Sequence, residues 1–307
     1  MNTNTQRATH ESRIPALPGP HHPDFCTGRL AANGGLRANR LLATLPAEWR
    51  RLQSQLQLVQ LLHGQVLVHA GSEPSHVYFP TTATVSLMSS TRAGGSAELA
   101  VVGHEGMVGI PVVMGGGSTP SEAVVKTSGC AVRMSRQAVK EEFDRGGPVM
   151  QVLLRYTQAF MTHLAQTATC NCHHTVVQRL CRCLLDSLDR SPADEVLMTH
   201  EAIALWLGVR RESVTLGALK LQHDGVIESG RGRITVLSRP ALEARSCECY
   251  AVVREEYLRL VPDGGAAATD SEAIARMEPV SPASRLPIRR GDAAARPPLY
   301  AASAGTW

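Results

Sequence analysis

Apolar positions along this chain change rhythm twice, and each rhythm predicts a different kind of element. Between about Leu58 and Met134 short apolar runs alternate with turn residues. The runs are Leu58-Val59, Val66-Leu67-Val68, Val77-Tyr78-Phe79, Thr84 to Met88, Leu99 to Val102, Ala123-Val124-Val125 and Ala131 to Met134. Gly64, Gly71, Gly94-Gly95, Gly103, Gly115 to Gly117 and Gly129 separate them. Short strands at this spacing predict an antiparallel sandwich or jelly roll. A leading helix is expected from Leu41 to Leu56. Beyond the strands, Val149, Leu153, Tyr156, Phe160, Leu164 and Thr167 recur at intervals of four or three residues, the seam of a helix. From Val149 to Thr169 that helix spans about 31 Å at a rise of 1.5 Å per residue. Another follows from Thr175 to Leu188, with Val176, Val177, Leu180, Leu184 and Leu188 turned inward.

The stretch from Thr199 to Gln222 carries the most specific pattern. Thr199 is a ready N-cap for a helix reaching Leu207, and Gly208 supplies the positive φ that a tight helix-helix turn requires. After Val209 a second helix buries Val214, Ala218 and Leu221 at i, i+4 and i+7. Its first turn offers Arg210, Arg211, Glu212 and Ser213 outward. Two arginines at a helix start oppose the positive end of the macrodipole unless an anion compensates. DNA phosphates and guanine edges are such partners, so the pair of helices reads as a helix-turn-helix whose second helix enters the major groove. Downstream, Val226 to Glu228 and Arg233 to Leu237 read as strands joined by Ser229-Gly230-Arg231-Gly232, a hairpin wing suited to the phosphate backbone.

Length and charge fit a two-domain regulator. The 307 residues are 43% hydrophobic, enough for two cores, and the formal charge is only +4. With a pI near 8.7, affinity for an anion is expected from a local patch. The amino-terminal stretch lacks an apolar signal region and no run is long enough to span a bilayer, so a cytoplasmic protein is expected, away from membranes and with its eight cysteines reduced. The expected organisation is a disordered tail over 1–37, a β-roll sensor over 38–145 and a dimerisation helix over 146–170. A winged helix-turn-helix over 171–260 and a second disordered tail over 261–307 complete it.

In this order the elements resemble the Crp/Fnr family of bacterial transcription regulators. The residues that carry the likeness are Gly103-His104-Glu105-Gly106-Met107-Val108-Gly109 in the roll and Met198-Thr199 through Val214-Thr215 in the reader. Gly225-Val226-Ile227, the wing at Arg231-Gly232-Arg233-Ile234 and the ending Cys247-Glu248-Cys249-Tyr250 complete it. The resemblance implies an α+β fold: an antiparallel jelly roll of the cyclic-nucleotide-binding kind, a long central helix and a winged helix-turn-helix. It also implies a homodimer on double-stranded DNA with two half-sites, with RNA polymerase as an expected further partner. Arg211 is placed to meet guanine and Glu212 the cytosine amino group, by donor-acceptor matching. Ser213 and Thr215 would contact phosphate or a base edge, and Thr199 would anchor the first helix on the backbone. Arg210, Lys220, Arg231 and Arg233 complete the expected DNA contacts. Leu216 stands where well-known members carry a further arginine, so the preferred site is expected to differ. The seam from Val149 to Thr167 is expected to pack on its copy in a second subunit.

The sensor departs from the family pattern. Gly103, Glu105, Gly106 and Gly109 mark the expected effector pocket, but Ser121-Glu122-Ala123 stands where the family's phosphate-clamping arginine belongs. Glu122 would repel a cyclic phosphate, which argues against cyclic AMP or cyclic GMP; Arg92 and Lys126 lie outside the motif. The effector is left unidentified. The pairs Cys170-x-Cys172 and Cys181-x-Cys183 point about 200° apart on a helix, so neither can chelate an ion by itself. Cys170, Cys172, His173 and His174 would form a site only if the helix broke near Asn171. No metal and no cofactor is expected. Two other classes compete: a cupin-like, metal-dependent roll enzyme using His63, His69, His76, His104 and Glu105, and a signalling module that binds protein through Arg210 and Arg211. No His-x-His pair on a strand supports the enzyme, and a non-enzymatic regulator is the preferred reading.

Overall fold

A computed structural model describes residues 38–262, apart from residue 46, residues 93–94 and residues 191–194. The tail expected over 1–37, almost all of that expected over 261–307, and Cys26 and Gly94 lie outside the described residues. The described chain forms one compact unit.

Two short helices, α1 (Arg40–Ala43) and α2 (Trp49–Leu52), and a 3₁₀ turn (Gln53–Gln55) precede the first strand. The single helix expected from Leu41 to Leu56 is therefore corrected. Proline 46 falls within that span, and a proline inside a helix removes a hydrogen bond and clashes with the preceding turn. Seven strands follow: β1 (Gln57–Leu61), β2 (Val66–Val68), β3 (His76–Pro80), β4 (Thr84–Ser90), β5 (Ser96–Val102), β6 (Glu122–Thr127) and β7 (Gly129–Ser135), with α3 (Pro111–Met114) between β5 and β6. They pair antiparallel in two sheets, ordered β1-β7-β3 and β2-β6-β4-β5. Val77, Phe79, Val85, Ala100, Val125 and Val132 fill the space between the sheets. That is the expected antiparallel jelly roll.

After α4 (Arg136–Asp144) comes α5 (Pro148–His173), 26 residues long. Its buried stripe holds the predicted seam: Val149, Leu153, Tyr156 and Phe160 belong to the roll core, and Leu164 packs against it. The expectation that this stripe faces a second subunit is corrected. The stripe is covered by its own chain, because α10 (Cys249–Leu260) returns along α5 and adds Val253, Tyr257 and Leu260 to the same core. Periodicity located the apolar face without naming what covers it. A second stripe remains in the open. Leu154, Gln158, Met161, Ala165, Ala168 and Cys172, also spaced by four and three, are all exposed.

The second core belongs to the reader. Helix α6 (Val176–Leu188) opens on a capping box between Thr175 and Gln178, then β8 (Glu195–Val196), α7 (His200–Leu207), α8 (Arg211–His223), β9 (Ile227–Gly230), β10 (Arg233–Val236) and α9 (Arg239–Glu243) follow. β8, β10 and β9 form a small antiparallel sheet. Leu180, Leu184, Ile203, Val214, Leu221, Ile227 and Ile234 are fully buried at its centre. Helix α10 joins the two halves: Tyr250 lies in the reader core and Tyr257 in the roll core.

Candidate nucleic-acid interface

The turn between α7 and α8 has the geometry that its sequence requires. Thr199 caps α7, its hydroxyl accepting from the Ala202 amide at 3.1 Å. Gly208 ends the helix at φ 62° and ψ 38°, a left-handed conformation that costs glycine little. Arg210 occupies the cap position of α8 without making a capping side-chain bond. Arg210 and Arg211 are both exposed at that helix start, where the macrodipole favours an anion.

Outward-facing residues of α8 are Arg211, Glu212, Leu216, Leu219, Lys220, Gln222 and His223. Arg211 is 66% exposed, with Glu201 of the preceding helix 3.9 Å away, a loose pair that leaves the guanidinium available. Leu216 is 69% exposed, so its side chain is open to a ligand on this face. Ser213 is half-buried. Arg231 at the wing tip is exposed, while Arg233 reaches back to Glu195 at 2.9 Å.

Thr215 stands apart from its predicted neighbours. Its hydroxyl donates to the Arg211 carbonyl at 3.1 Å and lies 3.2 Å from Nδ1 of His200, so it is engaged inside the reader. His200 is the residue that sequence reasoning missed. Its other ring nitrogen, Nε2, lies 3.1 Å from the Ser229 hydroxyl. One imidazole thus ties the first helix to the second and to the wing. Burial, then the nearby Arg211 charge, lowers its pKa from the usual 6.5 and favours the neutral ring. Periodicity gives no warning of this role, since it depends on three separate segments meeting.

The expected effector segment is occupied by the chain itself. Glu105 is buried, accepting from the Gly103 amide at 3.1 Å and from Arg190 Nε at 2.8 Å. A Cβ at Gly106 would stand 2.6 Å from the Tyr156 ring, whose hydroxyl donates to the Met107 carbonyl at 2.8 Å. A Cβ at Gly103 would meet the Arg190 side chain at 2.8 Å. Gly109 takes φ 117° against Val77. Close packing and a buried ion pair hold these four residues, which the sequence marks for an effector pocket. Lys126 is also committed, within 3.3 Å of Glu98 and 3.8 Å from the centroid of the Trp206 ring. Glu122 pairs with His69 at 3.3 Å, and a Cβ at Gly117 would meet Glu73 at 2.6 Å.

Among the described residues the roll histidines do not converge. His63 Nδ1 bonds the Lys126 carbonyl, His76 the Ser75 hydroxyl, and His69 the Glu122 carboxylate. One group does gather metal-binding atoms: Cys170, His174, Cys247 and Cys249, all within 4.8 Å of one another. Helix α5 continues unbroken through Asn171, so the site does not use Cys172 and His173, contrary to the grouping considered from sequence. Cys170, Cys172, Cys181, Cys183, Cys247 and Cys249 are free thiols.

Two family models match the chain. The Crp-like helix-turn-helix domain matches residues 178–245 and the cyclic nucleotide-binding domain residues 58–145, together just over half of the chain. The chain belongs to the Crp/Fnr family of transcription regulators. It is a DNA-binding transcription regulator with the α+β architecture of that family. Solved structures share the fold. FixK2 from Bradyrhizobium japonicum is similar at 17% identity with a TM-score of 0.56, over 62% of this chain and 98% of that one. A Crp/Fnr-family regulator from Eubacterium rectale is similar at 16% identity and a TM-score of 0.54, over 65% and 94%. CLP of Xanthomonas campestris, described as a c-di-GMP-responsive global regulator, is similar at 14% identity and 0.52, over 62% and 99%. No curated protein matches the sequence.

Proposed function

We propose that this Crp/Fnr regulator reads a two-half-site operator as a homodimer, with Arg211 and Glu212 at the base edges. The observation that carries the reading is the open first turn of α8, where two arginines extend from an uncapped helix start. Guanidinium to guanine and carboxylate to the cytosine amino group are the matching contacts. Arg210, Ser213, Lys220 and Arg231 hold phosphates around them, and Thr199 fixes the approach of α7. Arg233 joins them by exchanging Glu195 for a phosphate. Leu216 offers an apolar contact to a thymine methyl in place of a polar one. Thr215 serves the reader from within, through His200.

The exposed stripe Leu154, Gln158, Met161, Ala165, Ala168 and Cys172 supports a second copy of α5 as the dimer partner. Its residues follow the 3.5-residue repeat of a two-stranded coil, and its small residues at Ala165 and Ala168 allow close approach. Such a dimer presents two α8 helices to one face of a duplex. RNA polymerase is a natural further partner for a regulator bound beside a promoter. A protein that reads chromosomal DNA works in the cytoplasm of a bacterial cell; no helix among the described residues is long and apolar enough to cross a membrane.

Catalysis is no part of this reading, because the roll histidines each hold a local partner. This reading disfavours cyclic nucleotides as effector, because Glu122 stands where the family's phosphate-clamping arginine belongs and Lys126 is held by Glu98. The experiment is selection of bound genomic fragments by the purified chain and by Arg211→Ala. The variant should bind about 1–3 kcal/mol more weakly and relax one operator position. An unchanged sequence preference would remove Arg211 from the base contacts.

A further inference from the structure

The end of α5 and the start of α10 meet in a small cluster separate from both apolar cores. Cys170 and His174 lie one helical turn apart, and Cys247 and Cys249 approach from the segment that opens α10. Cys170, Cys247 and Cys249 are buried together. His174 takes the cap position at φ −108° and ψ 147°, so the helix ends at His173 and releases the imidazole toward the sulfurs. Cys170 Sγ lies 3.5 Å from Cys247 Sγ, and Cys249 Sγ lies 3.5 Å from His174 Nδ1. Tetrahedral zinc with Zn–S near 2.3 Å and Zn–N near 2.0 Å requires ligand atoms about 3.5–3.8 Å apart. Two of the separations already match, and all four ligand atoms lie within 4.8 Å of one another, so a small contraction would enclose a single ion. Iron-sulfur clusters spread their ligands over several metal atoms, which a group this tight does not allow.

Three neighbours argue that the cluster is more than four packed side chains. The free ring nitrogen of His174, Nε2, lies 3.3 Å from the Glu248 carboxylate. A carboxylate on the second nitrogen is the usual way a ligating histidine is oriented and its tautomer fixed. Behind the sulfurs stand two guanidiniums. Arg179 is buried with its Nε lacking a partner, and Arg182 is buried with a bond to Thr167 and a 3.5 Å pair to Asp186. Arg182 is paired with Asp186, whereas Arg179 bonds the Leu207 carbonyl, a neutral acceptor that does not balance a buried charge. Three thiolates and one histidine on a divalent ion carry a net negative charge, which offsets that of Arg179.

We infer that Cys170, His174, Cys247 and Cys249 form a structural zinc site that pins the start of α10 to the end of α5. The placement gives the ion a clear mechanical task. Residues His174 and Thr175 join α5 to α6, where the chain passes from the central helix to the reader. Helix α10 contributes to both cores, so fastening its first turn at that junction fixes the reader on the central helix. The site is independent of which bases α8 reads.

The test uses the full chain, purified under a thiol reductant that does not chelate metals, and zinc or cobalt as the probe. One zinc per chain should resist competition from a metallochromic indicator. Cobalt in its place should give the ligand-field bands of a tetrahedral ion and intense thiolate-to-cobalt charge transfer. Cys249→Ser and His174→Ala should each lose more than the 10–100-fold that outer-shell changes cost, and Glu248→Gln should fall within that range. Cys172→Ser, an exposed neighbour on α5, should bind as the wild type does. Circular dichroism checks that each variant is folded. Zinc far below one per chain, or a cobalt spectrum without thiolate charge transfer in the wild type, would overturn the site whatever the variants do. So would equal affinity in Cys249→Ser and Cys172→Ser. Formation of a Cys170–Cys247 disulfide that excludes zinc even under reductant counts against it as well.

Discussion

Glu105 and Arg190 form a 2.8 Å ion pair that joins the roll to the chain leaving α6, with both side chains under 10% exposed. Burial opposes the charge of Glu105, and the Arg190 guanidinium beside it, with His104, holds its carboxyl below the ordinary value. Burial opposes the charge of Arg190 as well, but Glu105 and Asp186 outweigh it and raise its pKa above the ordinary value. Removing one partner leaves an uncompensated buried charge, at a cost of about 3–5 kcal/mol. Arg190→Met should therefore destabilise the chain by that amount in chemical denaturation. Glu105→Gln combined with Arg190→Met should recover much of it. Additive losses in the double variant would show that the two residues act independently.

Close packing beside that pair makes a second prediction. Gly106→Ala would place a methyl group 2.6 Å from the Tyr156 ring and hydroxyl. Tyr156 is fully buried, so it cannot move away cheaply. Overpacking of this kind typically costs about 1–3 kcal/mol. The shift in denaturation midpoint of Gly106→Ala measures it, and a stability within error of the wild type would contradict the packing.

Acid should weaken the fold through His163. This residue is buried against the Tyr257 ring, at a centroid distance of 6.0 Å, and its Nδ1 has no partner among the described residues. Burial first, then the charges of Arg182 and Arg190, holds its pKa well below 6.5. The unfolded chain takes up this proton near pH 6.5 and the folded chain does not. Stability is thus complete above that pH and declines below it, by up to about 1.4 kcal/mol per pH unit. In His163→Phe the slope of stability against pH between 6.5 and 5 should fall by one proton. An unchanged slope would place the titration elsewhere.

The dimer interface is separable from the core. Leu154→Glu with Met161→Glu charges only the exposed stripe of α5, so the chain should stay folded and sediment as a monomer. Tyr156→Ala strikes the buried stripe and should cost roughly 3–5 kcal/mol of stability. Dimers persisting in the doubly charged variant would assign the interface to another surface.

Wing contacts should register in the salt dependence of DNA binding. Each phosphate neutralised adds about 0.9 to the slope of log affinity against log salt. Arg231→Ala should lower the slope by about that much and leave the preferred sequence unchanged. A changed base preference with an unchanged slope would give Arg231 a base contact instead.

Much of this molecule was legible before its structure because the informative residues are local. Thr199, Gly208 and the stripe of Val214, Ala218 and Leu221 specify two helices and a turn within one short segment. The alternating strands of the roll were equally open to reading, since glycines mark their ends. What stayed hidden depends on long-range meetings. The stripe from Val149 to Phe160 is apolar whether it faces a second chain or α10, and only the return of Val253 and Tyr257 decides the matter. Cys170 and Cys247 lie 77 positions apart, so spacing rules for metal ligands could not join them. Glu105 sits within a family signature yet serves an ion pair, because its partner Arg190 comes from the other half of the chain.

Base discrimination tests the central claim most directly. The purified chain should be titrated, at one fixed moderate salt concentration, with a duplex recovered by selection and with a scrambled duplex of the same length and composition. The selected duplex should bind at least about a thousandfold more tightly, protected over two half-sites roughly 34 Å apart. Equal affinity for the two duplexes, with the folded protein confirmed in the same sample, would contradict the account.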